Sequence, residues 1–345
     1  MERRLRGELF GDGGKRRWRR WPERPRRALL YLWLWPILLA ALLSLVAGHV
    51  RGPTAVAATS SGASGVRFVP AAAHSSARPR PIRPAPRRAG ANVPPPLRQG
   101  CMIGVHGTRS GRCLYGDPHG KLSIFLFGDS HALQYFPALE AIAKRNRWRL
   151  YVLTKRECTP AEVTVLGKGG GPYRTCDAWR NASLKRIDAS GRPTTVVLSG
   201  DAATIALGPA GEALGGVADA EALERGYVRT LRRIRGAGIG GVVIHDDPQA
   251  PTDVPSCVAA NPSRPAACNF PRPHSFDRNF DLRAARRVAG TRIVNPDSRI
   301  CPHGVCQAVI GGILVYRDDA HLTADFARTL QSLLEPGLRA ASGGR

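Results

Sequence analysis

Short apolar runs alternate with longer segments of helical periodicity from residue 121 onward. The apolar runs, which we interpret as strands, cover residues 122–127, 149–153, 195–199, 241–245 and 291–294. The segments with helical periodicity cover residues 132–146, 177–189, 218–235 and 324–334. Strands separated by helices form βαβ crossovers, which build a mainly parallel sheet covered on both faces. The pattern therefore predicts an α/β fold, a three-layer α/β/α sandwich whose ligands gather at the carboxyl ends of the strands.

A long apolar run precedes this pattern at residues 28–48. It holds 21 residues without a charge, and at ~1.5 Å per residue such a helix would span the ~30 Å hydrocarbon core of a membrane. Residues 1–27 contain eleven Lys or Arg residues and four acidic residues, a balance typical of the cytoplasmic side. We therefore expect a single transmembrane helix in the plasma membrane, with a cytoplasmic N-terminus and an extracytoplasmic C-terminal domain.

The same region is also compatible with a cleaved signal peptide, because residues 55–57 (Ala-Val-Ala) resemble a small-residue cleavage site. The apolar run is longer than the ~7–15 residue core of a signal peptide, which favours the anchor. Both interpretations export the rest of the chain. No zinc-finger spacing, RNA-binding aromatic motif or helix-turn-helix pattern accompanies the basic leader, so we expect it to contact membrane lipid and not nucleic acid.

Residues 49–100 separate the predicted anchor from the alternating pattern. They are rich in Pro, Ala, Ser and Arg, and they lack apolar periodicity. A segment of this composition cannot bury enough apolar surface to fold by itself. We predict a disordered linker, partly of polyproline type, that holds a folded domain at residues 101–345 away from the membrane.

All eight cysteines follow the predicted anchor and lie in four sequence-neighbouring sets. An even number of cysteines in an exported domain favours disulfides. Spacing does not determine the connectivity, but pairing within each set would tie a loop to a neighbouring strand or helix end. The expected pairs are Cys101 with Cys113, Cys158 with Cys176, Cys257 with Cys268, and Cys301 with Cys306.

A zinc site is the alternative for the last cysteine set, because Cys301, His303 and Cys306 would offer three ligands. No second pair at finger-like spacing accompanies them, and an oxidising compartment favours a disulfide over free thiols. We therefore predict no metal ion and no cofactor.

The motif Gly-Asp-Ser-His at residues 128–131 follows the first predicted strand and presents a serine hydroxyl at its carboxyl end. A serine hydroxyl is a weak nucleophile until a base accepts its proton, and the base acts better when a carboxylate orients it. Near the C-terminus, Asp318 and His321 stand three residues apart and supply both groups. Ser130, His321 and Asp318 are therefore the predicted nucleophile, base and orienting carboxylate of a serine hydrolase or acyltransferase.

Each part of the motif also has a purely structural interpretation. Asp129 and Ser130 are ordinary N-terminal caps for the helix that follows. We expect His131 to cap or pack and not to catalyse. We also expect Asp246 and Asp247, at the end of the fourth predicted strand, to be solvated loop or capping carboxylates.

Taken together, the motifs resemble the SGNH (GDSL-like) hydrolases, in which Ser lies in a Gly-Asp-Ser block and the catalytic Asp and His share a late Asp-x-x-His block. The resemblance covers residues 101–335 and is closer to the SGNH domain type commonly fused to membrane acyltransferases. It rests on residues 128–132, 136–139, 154–158, 176–180, 253–257 and 311–323. The resemblance implies a flavodoxin-like α/β/α sandwich.

The resemblance further implies a membrane-anchored, extracytoplasmic serine O-acyltransferase or O-acetylesterase that acts on cell-envelope glycans through an acyl-serine intermediate, without a metal. Its partners would be an O-acylated glycan or a glycan acceptor. In the fused proteins a multi-helix membrane part delivers the acyl group, so a separate membrane acyltransferase is a further expected partner. The direction of the reaction does not follow from the resemblance.

The sequence departs from the broader family pattern in the oxyanion hole, the set of donors that binds the developing negative oxygen. The sequence holds no Gly-x-Asn-Asp block. The backbone N–H of Ser130 is the first expected donor, and that of Gly200, after the third predicted strand, is the second, although Gly200 also suits a plain turn. The missing Asn favours an alternative function, a catalytically silent glycan-binding or scaffolding domain that assists a separate acyltransferase.

Overall fold

A seven-stranded sheet forms the centre of the computed structural model, which describes residues 81–191, 193–273 and 278–343. The strands of the described residues are β1 (Met102–Ile103), β2 (Leu114–Gly116), β3 (Ser123–Gly128), β4 (Arg149–Lys155), β5 (Thr194–Ser199), β6 (Gly240–Ile244), β7 (Phe270–Pro271), β8 (Thr291–Val294), β9 (Val305–Cys306), β10 (Val309–Ile310) and β11 (Ile313–Leu314). The large sheet has the order β1-β4-β3-β5-β6-β8, and β2 also pairs with β4. Neighbouring strands within this sheet run parallel, except that β2 is antiparallel to β4.

Helices connect the strands of the sheet. The α-helices of the described residues are α1 (Pro95–Arg98), α2 (Ser130–Leu133), α3 (Phe136–Asn146), α4 (Arg174–Asp188), α5 (Gly216–Gly236), α6 (Val254–Ala260), α7 (Phe280–Arg286), α8 (Asp297–Ile300), α9 (Ala324–Thr329) and α10 (Gln331–Gly343). Short 3-10 helices lie at Pro86–Ala91, Pro265–Cys268 and Pro302–Gly304.

The strand order reverses direction at the centre of the sheet. The chain passes from β3 to β4 on one side, and from β5 to β6 on the other. The reversal lies between the neighbouring strands β3 and β5. Such a reversal opens a crevice at the carboxyl ends of the two strands that flank it. Because Gly128 of β3 pairs with Ser199 of β5, the next residues, Asp129 and Gly200, leave the sheet side by side in that crevice.

The two faces of the sheet bury separate apolar clusters. Along β3, Ile124 and Leu126 belong to one cluster, and Phe125 and Phe127 belong to the other, as the period-two alternation of a strand requires. Helices α3, α9 and α10 cover the first face, whereas α4, α5 and α7 cover the second. Burial of one such side chain contributes roughly 1.5–3 kcal/mol. The prediction of an α/β fold with a mainly parallel sheet flanked by helices is therefore confirmed.

Residues 81–100 differ from the predicted disordered linker. They form the helices Pro86–Ala91 and α1, Ala89 is fully buried, and Leu314 donates a backbone hydrogen bond of 2.8 Å to the carbonyl of Arg83. The segment buries its apolar groups against the rest of the domain and not within itself. Its prolines restrict the unfolded chain, so less conformational entropy is lost when the segment becomes ordered. The linker prediction is therefore wrong for residues 81–100.

The basic segment 1–27, the predicted transmembrane helix 28–48 and the linker up to residue 80 lie outside the described residues. Among the helices that are described, none is long and apolar enough to cross a membrane.

The predicted disulfides are confirmed. Cys101 joins Cys113, Cys158 joins Cys176, Cys257 joins Cys268, and Cys301 joins Cys306. The bond between the last two cysteines leaves neither thiolate for the zinc site considered as the alternative. Oxidised cysteines are typical of an exported domain.

Candidate active site

The serine of the Gly-Asp-Ser-His motif begins α2 directly after β3. Gly128 has a φ of 154°, and a Cβ at this position would lie 1.9 Å from the carbonyl oxygen of Ser199. Only glycine fits this turn. Asp129 caps α2 by accepting a hydrogen bond of 2.9 Å from the backbone N–H of His131, so the capping role expected for Asp129 is confirmed. Ser130 remains half-buried at the edge of the crevice.

Asp318 and His321 face each other across one short loop. The Nδ1 atom of His321 lies 3.1 Å from Oδ1 and 3.0 Å from Oδ2 of Asp318. The backbone N–H groups of Ala320 and His321 also donate to Oδ1 of Asp318, at 2.9 and 2.6 Å. With Nδ1–H donated to the carboxylate, Nε2 of His321 is the proton acceptor. This Nε2 atom is buried and has no hydrogen-bond partner among the described residues.

Hydrogen bonds and charges favour an ionised carboxylate at Asp318, and burial favours a neutral imidazole at His321. Burial raises the pKa of Asp318, but the hydrogen bond and charge of His321, the N–H of Ala320 and the charge of Arg317 outweigh it and lower the pKa to about 2. Burial lowers the pKa of His321 below its usual value. An unprotonated base oriented by a carboxylate anion is the arrangement that activates a serine hydroxyl.

Gln134, just after α2, connects the serine helix to the Asp-x-x-His loop. Its Oε1 atom accepts a hydrogen bond of 2.7 Å from the backbone N–H of Leu322. Its Nε2 atom donates to Oδ1 of Asp247. These contacts hold the residue after His321 against the helix that begins with Ser130.

The imidazole of His321 packs on the residue next to the predicted nucleophile. The ring centroids of His131 and His321 are 4.6 Å apart, and the ring planes are tilted by 42°. Ser130 immediately precedes His131 in α2. The fold therefore brings the predicted nucleophile and base to the same end of the sheet.

Two carboxylates after β6 belong to the same centre. Asp246 and Asp247 are 2% and 0% exposed, so the prediction that they are solvated is wrong. Oδ1 of Asp246 lies 2.6 Å from Nδ1 of His131, and Oδ2 accepts a hydrogen bond of 2.8 Å from the backbone N–H of Ala202. The burial has a physical reason, because each carboxylate has a hydrogen-bond partner that replaces water.

Burial changes the proton affinity of these carboxyl groups. The pKa of Asp129 is raised to about 7 by burial and, more weakly, by the charges of Asp201 and Asp246, although the charge of His131 opposes the shift. The pKa of Asp247 is raised well above its usual range by burial and by the adjacent charge of Asp246. A protonated Asp247 matches its environment, since two neighbouring buried carboxylates cannot both ionise cheaply.

Gly200, the second predicted oxyanion donor, lies buried at the carboxyl end of β5. A Cβ at this position would meet Cδ of Pro160 at 3.0 Å, Oη of Tyr227 at 3.2 Å and Oδ2 of Asp129 at 3.3 Å. The crowding explains a glycine here. It is compatible with both the oxyanion and the turn interpretation, so the role of Gly200 stays a prediction.

The next two N–H groups of this loop already have acceptors. The N–H of Asp201 donates to Oδ2 of Asp129 at 2.9 Å, and the N–H of Ala202 donates to Oδ2 of Asp246. These two groups are therefore not free to bind an oxyanion. The N–H groups of Ser130 and Gly200 stay the predicted oxyanion donors.

The described residues contain one cluster of potential metal ligands, formed by His131, Asp246 and Asp247. One candidate ligand atom from each residue lies within 4.8 Å of the others. The closest pair, Nδ1 of His131 and Oδ1 of Asp246, is separated by 2.6 Å. Two ligands of one ion at ~2.0–2.2 Å from it are separated by ~3 Å or more. The donor set is therefore arranged as a hydrogen-bonded network rather than as a metal centre.

Comparison with known proteins places the chain in a family. The structure is similar to the periplasmic domain of a lipopolysaccharide acetyltransferase from Salmonella ser. Paratyphi A, with 16% sequence identity and a TM-score of 0.48 over 70% of this chain and 87% of that chain. It is also similar to an acylhydrolase from Bacteroides fragilis, with 14% identity and a TM-score of 0.39 over 66% of this chain and 91% of that chain. No curated protein matches the sequence. Residues 100–336 match the family described as "SGNH domain (fused to AT3 domains)", and the chain belongs to this family.

Proposed function

We propose that this protein is a serine O-acyltransferase or O-acetylesterase that acts on cell-envelope glycans through an acyl-serine intermediate. One observation carries the proposal. Nδ1 of His321 is bonded to Asp318, Nε2 is unpartnered, and the imidazole packs beside the start of α2, where Ser130 lies. This arrangement supplies a base whose lone pair is available at the end of the sheet where the serine hydroxyl emerges.

In the proposed reaction, Nε2 of His321 accepts the proton of the Ser130 hydroxyl while Oγ attacks the acyl carbonyl. Asp318 stabilises the imidazolium that forms. The N–H groups of Ser130 and Gly200 bind the oxyanion, and His321 returns the proton to the departing alcohol. A sugar hydroxyl or water then attacks the acyl-serine by the same route, which gives transfer or hydrolysis.

The proposed location is the outer face of the plasma membrane, with residues 28–48 as the anchor and the N-terminus in the cytoplasm. The disulfides and the basic leader support it, because disulfides persist outside the cytoplasm and basic segments stay inside. The proposed partners are an O-acylated glycan or a glycan acceptor and, for transfer, a separate membrane acyltransferase.

Acetyl release from p-nitrophenyl acetate and from an O-acetylated glycan tests the proposed chemistry. Ser130→Ala and His321→Ala are compared with the unmodified chain and with Ser256→Ala, which removes an exposed hydroxyl on α6. We expect both site variants to lose about 10³-fold or more of kcat, and the control to keep it. Undiminished release by either site variant contradicts the mechanism.

A silent scaffolding domain is the second candidate function. The sequence has no Gly-x-Asn-Asp block, and the N–H groups of Asp201 and Ala202 are occupied by carboxylates. Normal glycan acylation in cells that carry Ser130→Ala, but not in cells that lack the protein, supports the scaffold. Mass spectrometry of the same glycans distinguishes acyl transfer from ester hydrolysis. Deletion of an esterase increases glycan acylation, whereas deletion of a transferase decreases it.

A further inference from the structure

We infer that His131, held by Asp246, is a positioning residue that fixes the ring of His321 and sets the pH range in which His321 acts as the base. The inference rests on the proposed function and deepens it. It assigns a second His–Asp pair to the site, His131 with Asp246, in addition to the pair formed by His321 and Asp318.

His131 is rigidly held. The residue is 2% exposed, its backbone N–H donates to Oδ1 of Asp129 at 2.9 Å, and its Nδ1 atom lies 2.6 Å from Oδ1 of Asp246. Asp246 is itself fixed, because it accepts backbone hydrogen bonds from Ala202 at 2.8 Å and from Asp247 at 3.0 Å. A buried imidazole that is hydrogen-bonded to a fixed carboxylate has little freedom to rotate.

This fixed ring contacts the catalytic imidazole. The centroid separation of 4.6 Å and the tilt of 42° between His131 and His321 lie within the range of favourable ring pairs. Asp318 holds His321 through Nδ1, and His131 limits the ring from the side of α2. The two contacts together restrict the direction in which Nε2 of His321 points.

The surroundings of His131 favour its protonated form. Burial alone lowers the pKa of His131, but the charges of Asp246, Asp201 and Asp129 and the hydrogen bond to Asp246 reverse the shift and raise the pKa well above its usual range. When His131 is protonated, its positive charge lies beside the ring of His321, on the side of α2.

The groups that face His321 have opposing effects on its proton affinity. Burial lowers its pKa, the hydrogen bond and charge of Asp318 raise it, and the charges of His131 and Arg317 lower it. The net shift is downward. The cation of His131 therefore helps to keep His321 unprotonated, which is the state that accepts the proton of Ser130.

A second buried His–Asp pair, formed by His245 and Asp281, provides a matched control. His245 directly precedes Asp246 in the sequence. Nδ1 of His245 lies 3.0 and 2.8 Å from the two oxygens of Asp281, and the side chain of His245 is 2% exposed. The charge of His131 lowers the pKa of His321, whereas the described partner of His245 is Asp281. We expect loss of either buried imidazole to disturb its surroundings, and the loss of His131 to remove the ring that contacts His321.

The experiment measures kcat and KM of the full chain on p-nitrophenyl acetate across the acidic pH range. His131→Asn keeps a hydrogen-bond donor for Asp246 and removes the charge, and Asp246→Asn removes the carboxylate that keeps His131 protonated. Both changes raise the pKa of His321, so we expect the acidic limb of kcat/KM to move to higher pH. We also expect kcat to fall by about tenfold or more while KM stays nearly constant, because a misplaced base slows the chemical step. His245→Asn should leave the acidic limb unchanged.

Folding of each variant is checked by circular dichroism. A folded His131→Asn or Asp246→Asn variant whose acidic limb coincides with that of the unmodified chain overturns the inference. The same titration, followed by NMR of ¹³C-labelled histidine, reports the protonation of His321 without turnover. An inactive but folded unmodified chain therefore contradicts the proposed function, whereas an unshifted His321 titration in the variants contradicts the role of His131.

Discussion

The backbone N–H of Leu322 donates a hydrogen bond of 2.7 Å to Oε1 of Gln134, across 188 residues of sequence. The other end of the Gln134 amide donates to Asp247. One buried side chain thus joins the helix of the predicted nucleophile, the loop of the predicted base and the end of β6. We expect the placement of Ser130 relative to His321 to depend on this bridge.

Replacement of Gln134 by Ala tests the bridge. The variant leaves the N–H of Leu322 and a carboxyl oxygen of Asp247 buried without these partners, which should lower the free energy of unfolding by about 2–4 kcal/mol. We expect kcat to fall by more than ~10-fold because the loop of His321 loses an anchor. Gln331→Ala, which removes a solvent-exposed hydrogen bond to Arg145, is the matched control in denaturant unfolding and ester hydrolysis. Equal stability of the two variants contradicts the role of Gln134.

Replacement of Asp318 by Asn tests the orientation of the base. An amide donates to Nδ1 of His321 and so forces the proton onto Nε2, the atom that must accept it from Ser130. We expect kcat to fall by about 10³–10⁴-fold with little change in stability. Asp319→Asn is the control, since the side chain of Asp319 is exposed. Equal kcat values in the two variants rule out the proposed tautomer.

The pH dependence of activity follows from the two groups of the same loop. Activity requires unprotonated His321, so kcat/KM rises with pH through the pKa of His321. Burial lowers that pKa, and the acidic limb should therefore lie below the ~6.5 of a free histidine. Asp318 has a pKa of about 2 and stays ionised over this range. A plateau that is reached only above about pH 8 is incompatible with this assignment.

The sequence was sufficient for the framework of the fold. The run at residues 122–127 alternates with helices strongly enough to predict β3 and its neighbours, because a covered parallel strand must be apolar on both faces. The expectation that cysteines pair within their sequence-neighbouring sets agrees with all four disulfides, although spacing alone does not determine the connectivity. The Asp-x-x-His spacing predicts the contact between Asp318 and His321, since residues on one short loop can meet without help from the rest of the fold.

The rest of the site depends on tertiary contacts that spacing does not reveal. Asp246 and His131 are 115 residues apart, and their pairing decides that Asp246 is buried. One feature of the sequence indicates this pairing. Residues 245–247 (His-Asp-Asp) directly follow an apolar strand, and three consecutive titratable residues at a strand end favour a buried polar cluster over a solvated loop. Residues 81–100 were mispredicted for a related reason, because their apolar partners belong to the domain and not to the segment.

The disulfide between Cys158 and Cys176 should contribute substantially to stability. It closes a loop with a sequence separation of 18 residues, for which the loss of chain entropy in the unfolded state is worth about 3 kcal/mol. The double variant Cys158→Ala/Cys176→Ala should unfold at a lower denaturant concentration than the variant Cys301→Ala/Cys306→Ala. The second loop has a separation of only 5 residues, worth about 2 kcal/mol. The reverse order of the two midpoints contradicts this reasoning.

Covalent labelling tests the central claim, that Ser130 is a nucleophile activated by His321, most directly. The full chain is incubated with a fluorophosphonate, and the modified residue is located by peptide mass spectrometry. We predict one adduct on Ser130, no adduct at this position in Ser130→Ala, and labelling slowed by about 100-fold or more in His321→Ala, because the hydroxyl then lacks its base. Labelling of the folded chain elsewhere with Ser130 unmodified, or an unchanged labelling rate in His321→Ala, would contradict the account.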